Sequence, residues 1–330
     1  MSIHALETQR WNLANAAIEK SEPALLEQAA QINAELTVER FYSRVLEVAI
    51  KKNSIPILRY LVEHGVSVEH IEPREVAADG EVSIPTLEFL LARGWDINWP
   101  GCRVNAARKP FMWYCVNHRD KLVWCLEHGA KLKRPKMKRC KGPDEPPILQ
   151  IVAREGDIAT FEFLRSKGAP LRPHHHINEV LHAAVKTAAC GYRASADPEK
   201  DNEEERKSRA RWNQSMEMVR YLIDVVGFDV NAPDNPPECK KCRSGEWGTP
   251  LQYVQQIRID GRSQRELTWL LLDRGADPTP ALEEAEYDRR QGWHNYEFFK
   301  NIEDWGAQGG REKLRQREEQ KAKERGCCVH

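Results

Sequence analysis

Cys239 and Cys242 stand in a Cys-x-x-Cys spacing, which suits two ligands of a tetrahedral zinc site. Such a site takes four ligands, and no second cysteine pair lies nearby in the sequence. His174, His175 and His176 would complete it only if folding brought that stretch close. The simpler expectation is that the three histidines form an exposed lead-in to a helix at Ile177. Cys239 and Cys242 are then reduced thiols in an extended turn. No metal and no cofactor is assigned.

Lys131, Lys133, Arg134, Lys136, Lys138, Arg139 and Lys141 form a run of cations with no acid between them. Such density suits an acidic partner, or an import receptor reading Lys133 to Arg139. The alternative is a solvated turn. No aromatic residue interleaves the run, so stacking of nucleic-acid bases is not expected. Trp99 and Trp247 fall in turns and are candidate contacts for another protein, since tryptophan is enriched at binding hot spots; each otherwise packs under its own loop. The chain ends Cys327-Cys328-Val329-His330, which resembles a prenylation box, although His330 is an unusual last residue. The basic stretch Arg311 to Arg325 before it would supply the second signal that stable membrane anchoring takes. Lipidation at Cys327 or Cys328 and an unmodified basic tail are the two readings.

Catalytic patterns are not found. The sequence holds no Gly-rich phosphate loop, no His-Glu-x-x-His and no serine elbow, so no enzyme activity and no small-molecule substrate is expected. Lysine plus arginine equals aspartate plus glutamate at 50 each, so whole-chain charge names no partner. The first twenty residues lack a basic-then-apolar leader, and no apolar stretch approaches the ~20 residues of a bilayer span. A cytoplasmic or nuclear chain with reduced cysteines is the expectation, membrane-associated only if the tail is lipidated.

The elements that must position these residues recur. An amphipathic helix ending in glycine appears as Leu58 to Gly65, Leu87 to Gly94, Leu122 to Gly129, Phe161 to Gly168, Val219 to Gly227, Leu267 to Gly275 and Tyr296 to Gly306. Each copy sets large apolar groups at i, i+3 and i+4, the spacing of one helix face. Trp95, Trp124 and Trp269 follow that spacing and read as core. The glycines recur at a period of about 33 residues with insertions. The two largest insertions, 191–213 and 233–248, are polar. Ala194 to Arg211, with Glu203, Glu204 and Glu205, is too charged to bury much apolar area and is expected to be irregular.

On these residues the chain resembles the ankyrin-repeat family. Gly248-Thr249-Pro250-Leu251-Gln252 is similar to the opening of its inner helix. Asp229-Val230-Asn231, Gly275-Ala276-Asp277 and Asp96-Ile97-Asn98 are similar to its closing turn. Pro147 to Gly156 resembles a whole inner helix, and Val180-Leu181-His182-Ala183-Ala184 carries the family's histidine, which ties adjacent turns. The second and third inner helices are weak, with Val76-Ala77-Ala78-Asp79-Gly80 nearly all that remains of the second. The resemblance implies an all-α helical repeat solenoid over 41–307, of about six to seven degenerate repeats. An N-terminal helical cap over 1–40 and a flexible basic tail over 308–330 would flank it. It also implies a non-catalytic scaffold or adaptor that binds another protein through its turns and concave face. The alternatives are a lipid-anchored adaptor and a nuclear or acidic-partner binder.

Overall fold

The computed structural model describes residues 2–32, 37–77, 82–101, 109–133, 147–171, 180–190, 203–234, 248–257, 264–292, 295–310 and 312. All secondary structure among these residues is helical. The chain divides into two compact units, Met1–Glu145 and Pro146–His330.

The first unit holds α1 (Ile3–Lys20), α2 (Pro23–Gln31), α3 (Val38–Lys51), α4 (Ile55–Glu63), α5 (Pro73–Ala77), α6 (Ile84–Ala92), α7 (Phe111–Tyr114) and α8 (Arg119–Glu127). Helices α1 and α2 pack on each other, α1 also on α3 and α2 on α4. Helix α3 then meets α4 and α5, α5 meets α7, and α7 meets α8. Helices α5 and α7 are short, five and four residues.

The second unit holds α9 (Ile148–Glu155), α10 (Ile158–Ser166), α11 (Val180–Ala189), α12 (Glu203–Asp224), α13 (Pro250–Gln256), α14 (Arg265–Asp273), α15 (Thr279–Arg290) and α16 (Tyr296–Ala307). Here α9, α11, α13 and α15 lie side by side in that order, each touching the next, while α10, α12 and α14 each pack on the helix they follow. Ala183, Ala184, Ala188 and Ala189 are buried on α11, and their small side chains let α9, α12 and α13 approach it closely.

Helix starts are set by short polar side chains that accept an otherwise orphaned N–H. Ser2, Thr37, Ser83, Asp157 and Asn295 do this at α1, α3, α6, α10 and α16. Thr249 and Gln252 form a reciprocal capping box at α13. Ends are closed by glycine. After α4, α6, α8, α10 and α14, the glycines at 65, 94, 129, 168 and 275 take φ between 82° and 93°. The residue after each donates its N–H to the carbonyl five residues back, as in Val66 to Leu61 and Ala276 to Leu271.

Three expectations need correction. Gly306 does not close the last helix: α16 runs through it to Ala307, and Gly309, with φ 75°, follows the helix instead. Trp269 is only half-buried, with the Arg265 guanidinium 4.4 Å over its ring and its Nε1–H donating to Asn301 O at 2.8 Å. The charged insertion is helical from Glu203 onward. Three glutamates in the first turn favour the positive helix end, Lys207 pairs with Glu203 one turn away, and the helix continues into buried Met216, Val219 and Leu222.

Trp95 and Trp124 are core residues, 2% and 5% exposed. No helix among the described residues is long and apolar enough to cross a membrane.

Candidate partner-binding surface

In the first unit the turns after α4, α6 and α8 lie beside one another. Asp96 Oδ1 accepts the Asn98 N–H at 2.9 Å, which fixes the middle turn locally. The Asn98 side chain then crosses to the next turn. Its Oδ1 accepts the Lys131 N–H at 2.7 Å, and its Nδ2 donates to Gly129 O at 3.0 Å. On the other side, the Trp99 ring meets His70 edge to face at 5.3 Å. Gly101, with φ +84°, passes so close to Glu72 that an added Cβ would lie 2.3 Å from the carboxylate.

These bonds hold the backbone and leave side chains outward. Lys131 and Lys133 are exposed, and Trp99 is half-buried against His70. Of the expected contacts, the structure brings Trp99 and the start of the basic run onto neighbouring turns. Arg134, Lys136, Lys138, Arg139, Trp247, Cys239, Cys242, Cys327, Cys328 and the three histidines at 174–176 lie outside the described residues.

Beneath the turn after α4 runs a groove of about 470 Å³, not singled out by the sequence reading. The face of α3 bearing Val38, Glu39, Tyr42, Ser43, Leu46 and Glu47 forms one wall. His64 to Ser67, His70 to Glu72 and Glu75 form the other. The signal was present in the sequence: Val38, Tyr42 and Leu46 are spaced by four, and so are Glu39, Ser43 and Glu47, which stripes one helix face apolar and polar.

The second unit repeats the crossed-turn geometry. Asp229 Oδ1 accepts the Asn231 N–H at 2.9 Å; Asn231 Oδ1 accepts the Asp277 N–H at 2.7 Å, and Nδ2 donates to Gly275 O at 2.8 Å. Asp277 in turn accepts the Thr279 N–H at 2.9 Å, and hydrogen bonds from Thr279 hold its carboxyl below the usual range.

Beside this turn Asp234 and Gly248 are tied to each other. Asp234 N–H donates to Gly248 O at 3.2 Å, and Gly248 N–H donates to Asp234 Oδ1 at 3.0 Å. Tyr253 OH donates to the other Asp234 oxygen. His182 Nε2 lies 2.9 Å from the same Gly248 oxygen. A carbonyl only accepts, so that nitrogen carries the proton. Burial pushes the His182 pKa down, against the opposing pull of Asp234.

Among the described residues, no three histidine, cysteine, aspartate or glutamate side chains converge as metal ligands. Cys115 and Cys125 are both buried and hydrogen-bonded to each other, which, with burial, pushes the Cys125 thiol up. Compared with known proteins, the sequence matches no family model, and no curated protein matches it significantly.

Proposed function

We propose that this chain is a repeat protein of the ankyrin type that performs no chemistry and binds another protein through its turns and the face beside them. What supports this reading is the crossed-turn bond pair made by Asn98 and again by Asn231. In both, an aspartate two residues earlier fixes the asparagine, which then spans to the turn two helices later. A scaffold that ties backbone to backbone in this way leaves the side chains between the ties available for recognition. On that reading the paired helices stack as a solenoid, each pair covering an apolar face its neighbour cannot hide alone.

The test is capture of partners by the immobilised full chain, with Trp99→Ala and Lys133→Glu chains beside it. A tryptophan at a hot spot contributes about 2 kcal/mol or more, so Trp99→Ala is expected to weaken capture roughly thirtyfold with unchanged circular dichroism. Undiminished capture by both variants rejects the turns as the contact surface. A second reading, an acidic partner on the basic run, is favoured by the exposure of Lys131 and Lys133. It predicts loss in Lys133→Glu with Trp99→Ala unaffected.

A further inference from the structure

The groove between α3 and the turn after α4 has an apolar floor and an acidic rim, and we infer that it takes an extended or helical segment of another chain carrying apolar residues flanked by lysine or arginine. Tyr42, Leu46 and Ile71 are buried along the floor, while Val38 remains 43% exposed at its mouth, one of few large apolar side chains so open among the described residues. Glu39, Glu47, Glu72 and Glu75 line the groove, and no lysine or arginine among the described residues does. Lys51 Nζ lies 3.3 Å from Glu75.

The carboxylates are spread along the groove rather than gathered. Glu39 and Glu47 lie two turns apart on α3, and Glu72 and Glu75 belong to the facing wall. No three of them converge as ligands, so the arrangement does not suit a single metal ion. Distributed negative charge over an apolar strip complements a segment with distributed positive charge and apolar anchors. Imidazoles of His64 and His70 border the same wall; His64 stacks on Tyr60 at 3.9 Å and His70 meets Trp99, so the groove wall is braced before any partner arrives.

This inference rests on the protein-binding reading, and its test separates the two. The probe is a fluorescein-labelled synthetic peptide of alternating arginine and leucine pairs, with a glutamate-for-arginine version as control, titrated against the full chain by fluorescence anisotropy. The arginine peptide is expected to bind, more weakly at high salt, and about tenfold more weakly to the Glu39→Gln/Glu47→Gln chain. Glu88→Gln, which removes an exposed carboxylate on α6 outside the groove, leaves that binding unchanged. Circular dichroism and a urea midpoint confirm that the double variant is folded; if it is not, Val38→Ser, which removes only the exposed apolar anchor, is expected to weaken binding instead. Equal binding to wild type and variants, equal binding of the acidic peptide, or no binding overturns the inference. So does tighter binding after Lys136→Gln/Lys138→Gln, which would make the chain's own basic run the occupant. Partner capture that depends on Trp99 but not on Glu39 and Glu47 would remove the groove and leave the scaffold reading standing.

Discussion

Asn98 and Lys131 are 33 positions apart in sequence, yet the Asn98 carboxamide accepts the Lys131 backbone N–H at 2.7 Å. With the return bond to Gly129 O, one side chain replaces the ladder that would otherwise join two neighbouring turns. Asn98→Ala removes both bonds, each contributing about 1 kcal/mol, so the first unit is expected to lose roughly 1–2 kcal/mol. The site is exposed, and water limits the loss. Asn98→Asp keeps the acceptor for Lys131 and is expected to lose about half as much. Urea midpoints of the two variants against wild type measure this. Equal midpoints in all three would show that the turns are held by something else.

Gly156 and Gly168 separate backbone strain from close packing. Gly156 closes α9 with φ +79°, and a Cβ there would meet the backbone and Cβ of Gln214 on α12 at 3.0 Å. Gly168 has φ +90° and open space around it. Gly168→Ala is expected to cost about 1 kcal/mol from the left-handed backbone alone. Gly156→Ala is expected to cost at least about 1 kcal/mol more, because α9 and α12 must move apart. Similar melting temperatures for the two variants would contradict that packing.

His182 predicts a pH dependence. Its pKa is depressed by burial from 6.5, so the unfolded chain takes up a proton that the folded chain refuses. The associated stability is fully present above about pH 6.5 and falls as the pH drops below it, by at most about 1.4 kcal/mol per pH unit. Gln in place of His keeps a donor for Gly248 O and cannot titrate. The His182→Gln chain is therefore expected to show a shallower loss of stability between neutral and mildly acidic pH. Parallel profiles for the two chains would rule out His182 as the cause.

Cys115 and Cys125 are buried, and the Cys125 thiol is pushed up by its hydrogen bond to Cys115 and by desolvation. The thiolate is the reactive form, so both are expected to resist iodoacetamide in the native chain and to react on denaturation. Peptide mapping by mass spectrometry reads this directly. Rapid native labelling of Cys125 would mean that the α7–α8 contact opens readily.

The helical class was legible because apolar spacing and a closing glycine coincide at α4, α6, α8, α10 and α14, as at Leu58, Leu61 and Gly65. Both signals are local, so no knowledge of neighbours was needed. The helix over Glu203 to Arg211 was not legible from charge density. Density says how little area a segment can bury, whereas i,i+4 pairing and the helix field stabilise a helix that buries nothing. Trp269 read as core from its spacing, but spacing fixes a face and not what covers it; Arg265 covers part of that ring. Trp99 was found by residue type, while its orientation comes from His70, a residue of another turn. The groove was not legible because its two walls are separated in sequence, although Val38, Tyr42 and Leu46 stripe one face of α3.

Paired bonds hold Asp234, which follows α12, against Gly248, which precedes α13. With Asp234 and Gly248 joined, the entropy of closing the chain between them depends only weakly on its length. Doubling such a stretch costs only about 0.6 kcal/mol in closure entropy. Added length between Asp234 and Gly248 is therefore expected to leave the melting temperature of the second unit nearly unchanged.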